Sequence, residues 1–128
     1  KGANDYIKKP FSKEEFSCRV NNSIEALENI QMVLNYANRD HLTGLYNKKY
    51  FYKAMEEYLE NIVETGERVA ISMVDIDNFK NINDTYGHDI GDRVIVALAD
   101  ILRSSTNPSD IVSRFGGEEF CVVLKNIN

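Results

Sequence analysis

A chain of 128 residues, 43% hydrophobic and 27% charged with 7 Gly and 2 Pro, has the composition of one globular domain, or of a short appendage plus most of one. That composition excludes disordered, collagen-like and low-complexity chains, and 15 Lys and Arg against 20 Asp and Glu (formal charge -5) oppose a surface built to neutralise nucleic-acid phosphates. Apolar runs such as 94–99 fall far short of the ~18 residues of a membrane span, and no signal-peptide pattern opens the chain. Cys18 and Cys121 lie far apart without a CxxC, so neither a disulfide framework nor a zinc site is expected, and a reducing cytoplasmic setting fits.

The chain opens on Lys1 and stops at Asn128, directly after the strand-like run 120–124, and reads as the middle of a longer protein. Ser12 with Glu15 three residues on has the form of a capping box. Phe16, Val20, Ile24, Leu27, Ile30, Leu34 and Ala37 then follow at gaps of 4, 4, 3, 3, 4 and 3, a mean of 3.5. That period is a coiled-coil seam; the same stripe also suits an amphipathic helix packed on its own domain. Residues 39–47 break the pattern with Asp40, Thr43, Gly44 and Asn47.

A second helix is expected to bury Phe51, Ala54, Met55, Tyr58, Leu59 and Ile62 and to end at 65–67. Residues 69–74 (Val-Ala-Ile-Ser-Met-Val) read as a core strand that delivers Asp75 and Asp77 at its C-terminal edge. A polar stretch, 78–91, precedes a helix carrying Val94, Ile95, Leu98, Ile101 and Leu102. After a turn at 107–110, residues 111–115, Gly116-Gly117 and 120–124 predict a β-hairpin whose tip needs positive φ. The predicted order is helix, helix, strand, helix, strand, strand, an α/β (α+β) arrangement.

Two acidic clusters thus follow or open apolar strands, Asp75-Ile76-Asp77 and Glu118-Glu119. If those strands are neighbours, the carboxylates converge on one sheet edge. Hard oxygen ligands without Cys or His suit Mg²⁺ or Mn²⁺ and, with them, substrate phosphates. In extended strands Asp75 and Asp77 would share a face, whereas Glu118 and Glu119 would point to opposite faces, so that one glutamate faces the site. Glycines at the tip permit close approach of a phosphate to the backbone.

The run Arg114-Phe115-Gly116-Gly117-Glu118-Glu119-Phe120 resembles the signature of the GGDEF family, the diguanylate cyclases, in its GGEEF form. Three further blocks agree in order and spacing: Asp40-His41-Leu42-Thr43-Gly44-Leu45-Tyr46-Asn47, the stretch 75–84 beginning Asp75-Ile76-Asp77-Asn78-Phe79-Lys80, and Tyr86-Gly87-His88-Asp89-Ile90-Gly91-Asp92. The resemblance implies a palm-like, nucleotidyl-cyclase-like antiparallel sheet with flanking helices, here incomplete, after a long linker helix. It implies a metal site of the Asp75 carboxylate, the Ile76 carbonyl and Glu118, with Asp77 structural. Glu118 or Glu119 would assist deprotonation of the 3′-hydroxyl of one GTP, which attacks the α-phosphorus of a second GTP on a partner domain. Pyrophosphate leaves, and two such steps give cyclic di-GMP.

By the same resemblance, Lys80 would stabilise charge on the reacting phosphates. Asn83 and Asp92 would hold guanine, the carboxylate accepting from N1–H and the exocyclic amine, a donor pair that adenine lacks because its N1 is an acceptor. His88 would contact the nucleotide or fix its own loop. Phe79 would pack at the pocket wall, and Gly116 and Gly117 would lie against the phosphates. A homodimer is implied, because each copy holds one GTP.

Residues 1–12 resemble the last strand of a response-regulator receiver domain, with Lys9 as the phosphoryl contact and a Lys-Pro pair at Lys9-Pro10. Residues 13–38 would then be the receiver's final helix continuing as a coiled-coil-like linker, and 39–128 part of a GGDEF domain. A histidine kinase is the implied upstream partner. Where many members carry an Arg-x-x-Asp product-inhibition motif, this chain has Asn107-Pro108-Ser109-Asp110, which predicts weak or absent feedback inhibition. Two rival readings stand beside the cyclase. One is an inactive GTP-binding or dimerisation module; the other is a palm-like polymerase, which the acidic balance opposes.

Overall fold

The computed structural model describes residues 12–127, in two units that divide after Ala37 and are taken separately. The receiver-like segment, Lys9 and Pro10 included, lies outside the described residues.

In the first unit, helix α1 spans Lys13–Asn38. Its start shows the N-cap half of the predicted capping box: the Glu15 amide donates to Ser12 Oγ at 3.0 Å, satisfying one of the amides left free in a first turn. No residue of α1 is buried, and Phe16, Val20, Ile24, Leu27, Ile30 and Leu34 stand exposed along one stripe.

The second unit contains β1 (Tyr46–Asn47), α2 (Lys48–Thr65), β2 (Val69–Asp75), α3 (Phe79–Tyr86), α4 (His88–Ser104), β3 (Ile111–Gly116) and β4 (Glu119–Lys125). The four strands form one sheet in the order β1-β3-β4-β2, antiparallel except for the β1–β3 pair. This is the mixed α+β sheet with flanking helices that the sequence leads one to expect.

Strand β4 is the centre of the fold because it is apolar on both faces. Phe120 and Val122 join Leu45, Phe79, Ile95, Ala99 and Val112 in one core cluster, which belongs to α3 and α4. Cys121 and Val123, alternating with them, join Phe51, Met55 and Ile111 in a second, which belongs to α2. A strand buried on both sides reads as a continuous hydrophobic run, as 120–124 does. Burial also pushes the Cys121 thiol upward, so it behaves as a core side chain.

Several expectations are corrected. Strand β2 is not a core strand: it stands at the end of the sheet order, with Ile71 55% and Met73 57% exposed. Of the apolar residues assigned to the inner face of α2, Leu59 is exposed, because the helix buries its N-terminal half at Phe51 and Met55. The polar stretch 78–91 is helical, holding α3 and the first turn of α4, with Gly87 at φ 87° between them. Strand β1 was not foreseen; two residues are too few for a period.

Candidate active site

Three elements meet at one end of the sheet. Antiparallel pairing sets Asp75, the last residue of β2, opposite Glu119, the first of β4. One residue on, the Ile76 amide donates to the Glu118 carbonyl at 3.3 Å. The two acidic segments, distant in sequence, are therefore adjacent, and a backbone bond fixes their register. Asn78 then takes the left-handed conformation (φ 55°), which short polar side chains tolerate, and turns the chain directly into α3.

The β3–β4 turn is held from the other side by Arg114. Its Nε and Nη2 donate to the Gly117 carbonyl at 3.2 and 2.9 Å, while Nη1 donates to both carboxylate oxygens of Asp40 at 3.2 Å. Asp40 Oδ2 also accepts from the Thr43 amide at 2.8 Å and the Thr43 hydroxyl at 2.7 Å. Burial alone would raise the Asp40 carboxyl, but the Thr43 and Arg114 hydrogen bonds outweigh it and hold the group below its ordinary range. The carbonyls of Gly117 and Glu118 are thus tied to two different elements, to Arg114 of β3 and to Ile76 after β2, and the turn that carries Glu118 has a defined place.

Sequence reasoning quoted Asp40 and Arg114 within motifs but gave them no role. The ion pair spans residues 40 and 114, a separation no spacing rule covers.

The remaining expected residues lie on the β3–β4 turn, α3 and α4. Gly116 and Gly117 are exposed; a Cβ on Gly117 would meet nothing within 4 Å, and one on Gly116 only Glu119 Oε2 at 4.0 Å. Lys80 is exposed on the first turn of α3, Asn83 is half-buried one turn further, and Phe79 is buried in the core. His88 opens α4 and Asp92 follows one turn later, both exposed. Glu118 is half-buried and Glu119 exposed.

Two local expectations do not hold. Neither Gly116 nor Gly117 has positive φ; the turn closes through a register shift between Arg114 and Gly116 that absorbs the extra residue. Strand β2 ends at Asp75, so Asp77 lies in a turn beyond it and shares no strand face with Asp75.

The donors that could hold a divalent cation are all oxygens: the Asp75 and Glu118 carboxylates and the Ile76 carbonyl. This set fits Mg²⁺ or Mn²⁺, and the backbone pairing of 75–76 with 118–119 puts the donors on neighbouring residues. Among the described residues no three His, Cys, Asp or Glu side chains gather as a metal cluster. The proposed set has two carboxylates and relies on a main-chain carbonyl for its third donor.

Comparison with known proteins matches residues 37–128 to the family model described as "Diguanylate cyclase, GGDEF domain". The chain is 37% identical over 130 residues to the response regulator PleD of Caulobacter vibrioides, covering 96% of this chain and 29% of PleD. It is 45% identical over 104 residues to diguanylate cyclase A of Treponema denticola, covering 79% of this chain and 28% of that protein. The chain thus spans less than a third of either relative. Among solved structures, it is similar to the coiled coil and GGDEF domain of DgcB from Caulobacter crescentus, determined in complex with c-di-GMP. The TM-score is 0.79 at 30% identity, over 92% of this chain and 62% of that one.

Proposed function

Because this chain belongs to the GGDEF family, we propose that it is the nucleotide-condensing part of a diguanylate cyclase, joining two GTP into cyclic di-GMP and pyrophosphate. The observation that carries this reading is the backbone register that brings Asp75 and Ile76 against Glu118 and Glu119.

Asp75, the Ile76 carbonyl and Glu118 would hold Mg²⁺ or Mn²⁺, which when bound supplies positive charge to the triphosphate and makes the attacking hydroxyl more acidic. Glu118 or Glu119 takes the proton of the 3′-hydroxyl as it attacks the α-phosphorus of the other GTP. Lys80, on the first turn of α3, offers a point cation to the charge that develops on the phosphates. The open surface at Gly116 and Gly117 allows phosphate to approach the backbone closely. Asn83 and Asp92 hold guanine, with His88 near the same nucleotide and Phe79 supporting the wall.

Each copy carries one GTP in this scheme, so the working unit is a homodimer. The unburied stripe of α1 suits a coiled coil that brings two copies together. Under the same proposal residues 1–12 are the last strand of a receiver domain, its final helix running into the linker, that a histidine kinase phosphorylates through an upstream aspartate, in the cytoplasm. No helix among the described residues is long and apolar enough to cross a membrane.

The test is cyclic di-GMP formation from GTP and Mg²⁺ by the full-length protein, beside a Glu118→Gln/Glu119→Gln double variant. Product from the wild type and none from the variant is the expected result. A folded, phosphorylated, dimeric protein that binds GTP without forming product overturns the enzyme reading in favour of a binding module.

A further inference from the structure

Gly91 is the fourth residue of α4, and it is buried in a helix where alanine would ordinarily be preferred. The reason lies on α3. A Cβ at Gly91 would overlap Asn83 Oδ1, stand 2.9 Å from Asn83 Cγ and approach Phe79 Cζ at 3.2 Å. Independently, Asn83 Oδ1 is the one buried side-chain polar atom among the described residues without a hydrogen-bond partner. Buried acceptors are ordinarily paired, so an orphan of this kind calls for an explanation.

We propose that Gly91 is a positioning residue for base selection: the space left by its missing side chain seats the Asn83 carboxamide with its oxygen inward and its amide nitrogen turned outward. The proposal rests on the reading of Asn83 as a guanine contact. An amide N–H donor complements O6 of guanine, whereas adenine presents an amino group, itself a donor, at the same place. In this scheme Gly91 acts only through Asn83, and Phe79 Cζ borders the same space.

The test is a double-mutant cycle in the full-length protein with Gly91→Ala, Asn83→Ala and the combination. KM for GTP, kcat, and the ratio of kcat/KM for GTP to that for ATP are measured, with equilibrium binding of both nucleotides in parallel. Gly91→Ala is expected to raise KM for GTP about tenfold and to lower the GTP-over-ATP ratio about tenfold, with kcat within about twofold of wild type. In the Asn83→Ala background the same methyl is expected to add nothing, because the group it displaces is gone.

Undiminished discrimination in Gly91→Ala overturns the proposal. So does an effect that is equally large without the Asn83 side chain, which would assign the glycine to helix packing, as would failure of either Gly91→Ala variant to fold. If Asn83→Ala alone changes neither KM nor selectivity, the guanine reading of Asn83 fails and the proposal with it. Should the wild type bind GTP but form no product, the cyclase reading fails separately and the cycle is decided by the binding constants. A wild type that does not bind GTP overturns both.

Discussion

The guanidinium of Arg114 holds two partners that lysine could not hold together, the Gly117 carbonyl through Nε and Nη2 and the Asp40 carboxylate through Nη1. Arg114→Lys keeps the charge and loses the fork. It is expected to lower kcat about tenfold or more with KM for GTP within about threefold, because the turn carrying Glu118 is loosened while the proposed guanine contacts are left alone; steady-state kinetics at saturating Mg²⁺ checks this. Asp40 also sets a pH dependence. Its folded carboxyl titrates below the unfolded one, so its contribution to stability is complete above the unfolded value and is lost as pH falls through the lowered folded value. Asp40→Asn is therefore expected to flatten the acid limb of a stability-against-pH curve, measured by thermal melting, and to leave the neutral-to-alkaline limb the same shape. Asp110 is likewise a structural carboxylate: its oxygens accept the Asn107 amide at 2.8 Å and the Lys125 amide at 2.9 Å, and it is buried. Both backbone donors would be orphaned in Asp110→Ala, at a cost of about 1–3 kcal/mol each where they stay shielded from water.

At the scale of elements, β4 and α1 are opposites. Phe120 and Val123 are fully buried on opposite faces of β4, and Phe120→Ala is expected to destabilise the domain by about 3–5 kcal/mol in denaturant titration. The stripe of α1 is exposed throughout, so a charge there spoils association rather than folding. If the proposed coiled-coil dimer forms through this stripe, Ile24→Asp with Leu27→Asp is expected to shift the full-length protein from dimer to monomer in sedimentation, with domain melting unchanged and the proposed cyclic di-GMP formation lost. The two elements also show what could be read beforehand. The N-cap at Ser12, the α1 period and the doubly apolar run of β4 are local signals, and each appears where residue pattern placed it. Strand β2 carries as apolar a run as β4, yet sits at the sheet end, because apolarity marks a strand and strand order depends on pairing. Helix α3 escaped notice because eight residues offer only Phe79 and Ile82 as inward apolar markers. At the site, the acidic residues were legible from chemistry and resemblance. The Arg114–Asp40 clamp and the notch at Gly91 were not, since each depends on residues that only folding brings together.

For the whole molecule, feedback by the product of the proposed reaction is the property in which it is expected to depart from many of its family. Asn107 has no guanidinium to offer, so the position lacks the bidentate donor of the family's motif, and the Asp110 carboxylate already accepts the Asn107 and Lys125 amides. Cyclic di-GMP titrated into the full-length enzyme is expected to inhibit weakly or not at all. Strong noncompetitive inhibition that disappears in Asp110→Ala contradicts this.

The turn at 117–118 is anchored by its carbonyl oxygens, to Arg114 on one side and to the Ile76 amide on the other, and not by the side chain of Glu118. A hinge pinned through its main chain tolerates exchange of what it displays. Shortening the residue at 118 by one methylene leaves both pins in place, so Glu118→Asp is expected to keep the hairpin register and much of the activity, whereas an uncharged Gln keeps the shape and loses the chemistry. Position 118 is in that sense interchangeable in length and fixed in charge.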